Sequence, residues 1–226
     1  MKLLAIDTST EACSAALMLD GELRERHAIA AREHGRLILP MVEGLLAEAG
    51  LRLAQLDALA YGRGPGGFTG VRIAAAVIQG FAFGGGLPVV PVSSLAALAQ
   101  GAYRERSIAH VLAAVDARMG EVYWGVYAAD AEGLMAPRGD ETVCAPGAVP
   151  VPAEGPWFGA GSAWGVHAQA LRARLGDRVT GYEAARYPRA QDVARLGVAG
   201  YHRGHAVSPE QALPVYLRDE VAWKKA

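Results

Sequence analysis

The 226-residue chain carries 22 basic against 23 acidic residues, a formal net charge of −1. That balance excludes a strong field for nucleic acid or a membrane surface arising from the chain alone. Two cysteines, Cys13 and Cys144, without C-x-x-C spacing, exclude a disulfide framework or a thiolate zinc site and fit a reducing cytoplasm.

The N-terminus opens on the strand-like run "KLLAID" with no basic segment leading into a long apolar stretch. No segment reaches the roughly 18 uninterrupted apolar residues of a membrane span, so a soluble, cytoplasmic protein is expected. Residues 3–7, "LLAID", then "TSTEACSAALML", a turn at Asp20-Gly21 and "ELRERHAIA" read as three antiparallel strands. A helix near 35–49 follows, in which Leu37, Ile38, Met41, Val42, Leu45, Leu46 and Ala49 recur at helical spacing and Pro40 falls in about the first turn. Next come a strand near 57–62, a helix near 70–84, a strand near 88–92 and a helix near 93–103.

The second half repeats the design. "VLAAVD" at 111–116, "ARMGEVYWGVYAA", a turn around 130–133 and "LMAPRGDETV" form another meander, and "GPWFGAGSAWG" echoes "LDALAYGRGPGG" as a strand entering a glycine-rich turn before a helix. A helix near 164–175 is expected, and the residues from 176 on look less regular. The pattern predicts an α/β chain of two duplicated lobes, 1–105 and 106–226, each a mixed sheet opened by an antiparallel meander and covered by helices.

The helix at 70–84 has only Arg72 and Gln79 as polar side chains in its interior. An all-round apolar helix asks for burial all round, either by a second helix of its lobe or by another chain. The loop before it, "GRGPGGFTG", holds five glycines between Gly62 and Gly70. It lacks the Lys-Ser or Lys-Thr of a phosphate loop, and its G-x-G-x-x-G spacing is a weak signal in a glycine-rich chain. Thr69 is the expected N-cap.

Asp7, Thr8 and Ser9 in "DTST" place a carboxylate and hydroxyls in a tight hairpin, a setting for phosphate and hydrated magnesium or for a turn that satisfies itself. The matching hairpin "DARMG" keeps Asp116 but has Ala117, Arg118 and Met119 where a phosphate clasp wants glycines. The nucleotide-loop candidates are therefore Asp7, Thr8, Ser9, Gly64, Gly66, Gly67, Thr69, Asp116 and Arg118, read as vestigial. No nucleophile elbow or paired-histidine metal motif is present.

Five motifs in order, "AIDTST", "REHGRLILPMV", "GRGPGGFTGVRI", "DARMGEVY" and "PVYLRDEVAWKK", resemble the TsaB family, the non-catalytic paralogues among the TsaD/glycoprotease-like proteins, over essentially the full chain. The resemblance implies the actin-like ATPase (ASKHA) fold and a scaffold role in making threonylcarbamoyladenosine beside the tRNA anticodon. It implies TsaD as heterodimer partner, TsaE completing the complex, tRNA met indirectly, and a homodimer in isolation. It implies no cofactor of its own, with weak ATP or ADP binding, or nucleotide at the interface with TsaD, left open. In the catalytic paralogue, two histidines that bind a metal follow the strand after the glycine-loop helix. Here "PVSSLAALA" puts Ser94 and Leu98 at those places, so no enzyme is expected. The interface candidates are Leu37, Met41, Leu45, Val71, Ala75, Ile78 and Ala82. The alternative is an actin-like ATPase or phosphotransferase using Asp7, Thr8 and Asp116. "WKK", Trp223 to Lys225, is read as a solvated terminus.

Overall fold

The structure, a computed structural model, describes residues 1–153 and 155–218. "WKK" and the end of the fifth motif lie outside them. Two sheets share one plan. In the first, β1 (Lys2–Asp7) lies antiparallel to β2 (Ala12–Leu19) and parallel to β4 (Ala58–Gly62), and β3 (Glu22–Ile29) and β5 (Val89–Val92) form the edges. In the second, β6 (His110–Arg118) is flanked by antiparallel β7 (Glu121–Ala129) and parallel β10 (Trp157–Ala160), with β11 (Val179–Glu183) beyond β10. The third meander strand is split here into β8 (Met135–Pro137) and β9 (Thr142–Cys144), both paired with β7.

Strand alternation sorts the core. Leu4 and Ile6 of β1 join Ile38, Val42 and Leu45 of α1 (His34–Glu48) and Ala74, Ile78 and Ala82 of α2 (Phe68–Gly85). Leu3 and Ala5 point to the other face, where Ala190, Val193 and Ala194 of α6 (Ala190–His202) cover them. On β6, Val111 and Ala113 pack with Leu95, Leu98 and Ala99 of α3 (Ser94–Arg106), while Leu112 and Ala114 face Trp164 of α4 (Ala163–Val166) and Leu171 and Leu175 of α5 (Ala168–Leu175). The layers therefore run helices, sheet, helices, sheet, helices, with α3 and α6 in the middle.

That middle layer is an exchange across the predicted boundary at 105/106: α3 covers the second sheet, and α6, from the second half, covers the first. The expectation of irregularity from 176 on is corrected by β11 and by thirteen-residue α6. α6 lies close because Gly197 and Gly200 face the sheet; a Cβ there would stand 2.8 Å from Ala60 Cβ and 2.9 Å from Val90 Cγ1. Arg104 of α3 pairs with buried Asp192 of α6 at 2.8 Å, binding the two crossed helices. The expected helix at 164–175 is interrupted at His167. Pro40 is the seventh residue of α1 rather than part of its first turn, and is exposed.

α2 is 18 residues long with mean hydropathy 1.3, enough by length and composition alone to cross a membrane. Its inner stripe of Gly70, Val71, Ala74, Ala75, Ile78 and Ala82 is buried on the sheet, whereas Phe68 and Phe83 are 61% and 59% exposed. The expected all-round burial is thus not met among the described residues. Five of the interface candidates, Leu45, Val71, Ala75, Ile78 and Ala82, prove to be core residues with at most 4% exposure. Only Leu37 and Met41 are partly exposed, packed at the margin of that core.

Candidate functional site

The β1–β2 hairpin and the β6–β7 hairpin face each other across a cleft of about 1090 Å³. Thr8, Ser9, Gly66, Gly67, Thr69, Asp116 and Arg118, all sequence candidates, line it. Asp7 and Gly64 do not.

Asp7 is sealed inside. Its Oδ1 accepts from the Ser9 amide at 2.9 Å and the Ser9 hydroxyl at 2.8 Å, an Asx turn. Its Oδ2 is buried beside Ser94 Oγ, and neither atom has any other partner among the described residues. Both oxygens crowd Gly62, where a Cβ would stand 1.8 Å from Asp7 Oδ2 and 3.2 Å from Ser94 Oγ. Burial pushes the Asp7 carboxyl up to about 6, against the lowering pull of hydrogen bonding from Ser9 and the Ser94 hydroxyl. Its Oδ2 thus faces Ser94 and Gly62 in the protein interior, so the magnesium-holding role sketched for Asp7 has no opening to the cleft.

The glycine loop serves the same hairpin. Gly67 donates its amide to Ser9 O at 2.7 Å, and Thr8 Oγ1 donates to Gly70 O at 2.7 Å. A Cβ on Gly66 would meet Ser9 O at 2.2 Å, and one on Gly70 would meet Thr8 O at 1.9 Å. These glycines let two backbones touch, and the contact takes up an amide that a phosphate cradle would need. Gly64 (φ +98°) accepts from the Ser94 amide at 3.0 Å and lies against Val215 O. The N-cap of α2 is Gly67, with no side-chain cap. Thr69, expected in that place, is an exposed residue of the first turn.

The second hairpin is built differently. Asp116 Oδ1 accepts from the Arg118 amide at 3.1 Å, and Arg118 Nη1 lies 3.1 Å from Asp116 Oδ2. Arg118 also reaches across the cleft to Glu11, at 3.6 Å. Arg118 (φ +63°) and Met119 (φ +56°) both occupy the left-handed region, which disfavours side chains. The arginine of this hairpin engages carboxylates of both walls.

Ser94 opens α3 beside Asp7, and Leu98, one turn on, is wholly buried against the second sheet. The two positions offer one hydroxyl and one hydrocarbon. Among the described residues, no group of three or more His, Cys, Asp or Glu side chains is arranged to hold a metal ion.

Sequence reasoning missed other residues of the lining, among them Arg32, His34, Phe68, Arg72, Tyr216 and Arg218. Tyr216 and Arg218 arrive on a C-terminal strap. Val207 bridges to Val89, Tyr61 donates its hydroxyl to Leu213 O at 2.8 Å, and Val215 donates its amide to Arg63 O at 2.8 Å. Arg218 then donates to Ala117 O at 3.2 Å and pairs with Glu121 of the second hairpin. The strap's contacts join residues far apart in the chain, such as Arg72 with Tyr216 and Glu121 with Arg218, so local spacing does not reveal them.

A family model described as "TsaD: tRNA N6-adenosine threonylcarbamoyltransferase" matches residues 27–226. The chain is 43% identical over 228 residues to the tRNA threonylcarbamoyladenosine biosynthesis protein TsaB of Escherichia coli (strain K12), with 100% of this chain and 98% of that protein covered. The chain belongs to the TsaD family, in its TsaB branch. A second TsaB, from Haemophilus influenzae, is 42% identical over 235 residues, covering 100% of this chain and 97% of that protein. The solved structure of YeaZ from Pseudomonas aeruginosa superposes with a TM-score of 0.89 at 49% identity, covering 96% of this chain and 99% of that one. This TsaB-branch chain therefore has the YeaZ-like fold of the actin-like ATPase class, as the resemblance implies.

Proposed function

We propose that this chain acts in tRNA threonylcarbamoyladenosine biosynthesis as a non-catalytic scaffold that docks on the catalytic paralogue TsaD. The observation that carries the reading is similarity over the whole chain to relatives named for that biosynthesis. In this reading TsaE completes the assembly in the cytoplasm, the chain brings no cofactor of its own, and tRNA is met through the partners. Ser94 and Leu98 support the non-catalytic part, because a lone hydroxyl and a hydrocarbon make a poor metal centre. The sealed Asp7 supports it too, because an ATPase needs that carboxylate in the cleft.

The docking face is the outer side of α1 and α2. It carries Leu39 (43% exposed) and Phe83, and Ala76 and Gly80 of α2 are exposed small residues that allow a partner helix to come close. Exposed aromatic and aliphatic side chains on one face are what partner surfaces are made of. The same face would pair two copies when TsaD is absent. Leu39→Glu and Phe83→Glu test the assignment: both side chains are exposed, so the melting temperature should hold while affinity for TsaD falls by about tenfold or more. Undiminished copurification of both variants with TsaD would remove the docking face from the account.

A further inference from the structure

Arg72, one turn into α2, is held on three sides. Its guanidinium carbon lies 3.3 Å from the centroid of the Phe68 ring and 5.3 Å from that of Tyr216, and its Nε donates to the Tyr216 hydroxyl at 2.8 Å. No carboxylate pairs with it among the described residues. A guanidinium fixed by stacking and through Nε keeps its two terminal nitrogens as a preformed fork for a carboxylate or phosphate. Beside it, the amides of Phe68, Thr69 and Gly70 precede the first bond of the helix, from Val71 to Gly67 O at 3.0 Å, and no side chain caps them. They form the positive end of an 18-residue helix.

A second observation is independent of the helix. His34 is only 8% exposed, lines the same cleft, and its Nε2 is buried without a partner. Such an atom costs about 1–3 kcal/mol when left unsatisfied. Arg32 adds an exposed positive charge to the lining. The cleft's two acidic residues near the hairpins, Glu11 and Asp116, are both engaged by Arg118.

We propose that the first wall of the cleft binds a single anionic group, the phosphate or carboxylate of a small molecule, between the Arg72 fork, the α2 amides and His34. The rings of Phe68 and Tyr216 offer apolar surface to the rest of the ligand. This is not a triphosphate site, because the hairpins that would clasp one are closed by the glycine loop and by Arg118. The site also does not depend on docking to TsaD.

Inorganic phosphate and acetate, titrated separately into the isotopically labelled full chain at constant ionic strength, are the probes. Saturable amide shifts at Phe68, Thr69 and Gly70 with either anion support the site, and which anion saturates names the ligand's group. Arg72→Ala should weaken binding about tenfold with an unchanged melting temperature, and Arg72→Lys should fall between, since it keeps charge but not the fork. Absence of saturation at those amides up to about 50 mM of both anions, or equal binding by Arg72→Ala, overturns the proposal. Magnesium-ATP binding far tighter than phosphate, with shifts centred on Asp116 to Gly120, also overturns it in favour of a nucleotide site.

Discussion

The two hairpins occupy the same place in duplicated lobes and have opposite fates. "DTST" is buried, its Asp7 turned inward and its backbone in contact with the glycine loop. "DARMG" is open: Met119 is 86% exposed, Arg118 sits in a left-handed conformation, and Asp116 is held by its own neighbour. An actin-like ATPase needs both hairpins free to meet phosphates from two sides. Here one is packed against the glycine loop and the other carries an exposed arginine that pairs with Asp116 and Glu11.

Substitutions at matched places sharpen the contrast. The largest effect belongs to the first hairpin's glycine contacts. Gly70→Ala or Gly62→Ala forces a Cβ to within 1.9 or 1.8 Å of an oxygen, and a loss of about 3 kcal/mol or more is expected in denaturant unfolding. Asp7→Asn should act the other way. Because burial raises its carboxyl from 3.8 to about 6, ionised Asp7 is disfavoured in the folded chain. The penalty is absent below the lower value, grows as pH rises between the two and is constant above. The amide should therefore stabilise the chain at pH 7 by up to about 3 kcal/mol and flatten that part of the stability–pH curve. In the second hairpin, Arg118→Gly relieves a positive φ at the cost of a looser unfolded chain, for a gain under about 1 kcal/mol. Asp116→Asn, which keeps its acceptor for the Arg118 amide, should move stability by less than about 0.5 kcal/mol. A second hairpin as sensitive as the first would break the comparison.

The sequence made the meanders, the parallel strands and the glycine-loop helix legible, because period-2 alternation and turn residues are local signals. It left the inward face of α2 open for a physical reason: with apolar residues nearly all round, Val71, Ala75 and Ile78 look no more buried than Ile73 or Phe83. Packing against β1 and β4 decides, and that is a tertiary fact. α6 escaped because its buried stripe mixes Val193 with Ala190, Ala194, Gly197, Gly200 and the charged Asp192, and glycines and a buried carboxylate read as loop rather than as a sheet-facing helix. Asp7 was found by position in its strand, but its inward turn depends on Gly62, fifty-five residues away in the chain. Arg72 read only as a polar interruption of an apolar helix, since its partner Tyr216 comes from the strap.

The scaffold reading is tested most directly by reconstituting tRNA threonylcarbamoylation from purified TsaD and TsaE, tRNA and a supplied activated threonylcarbamoyl donor, with and without this chain. The account predicts that modification depends on the chain, that the chain alone yields none, and that Asp7→Asn supports it as well as the original. Modification at the full rate without the chain, or abolished by Asp7→Asn in a chain that still binds TsaD, would contradict it.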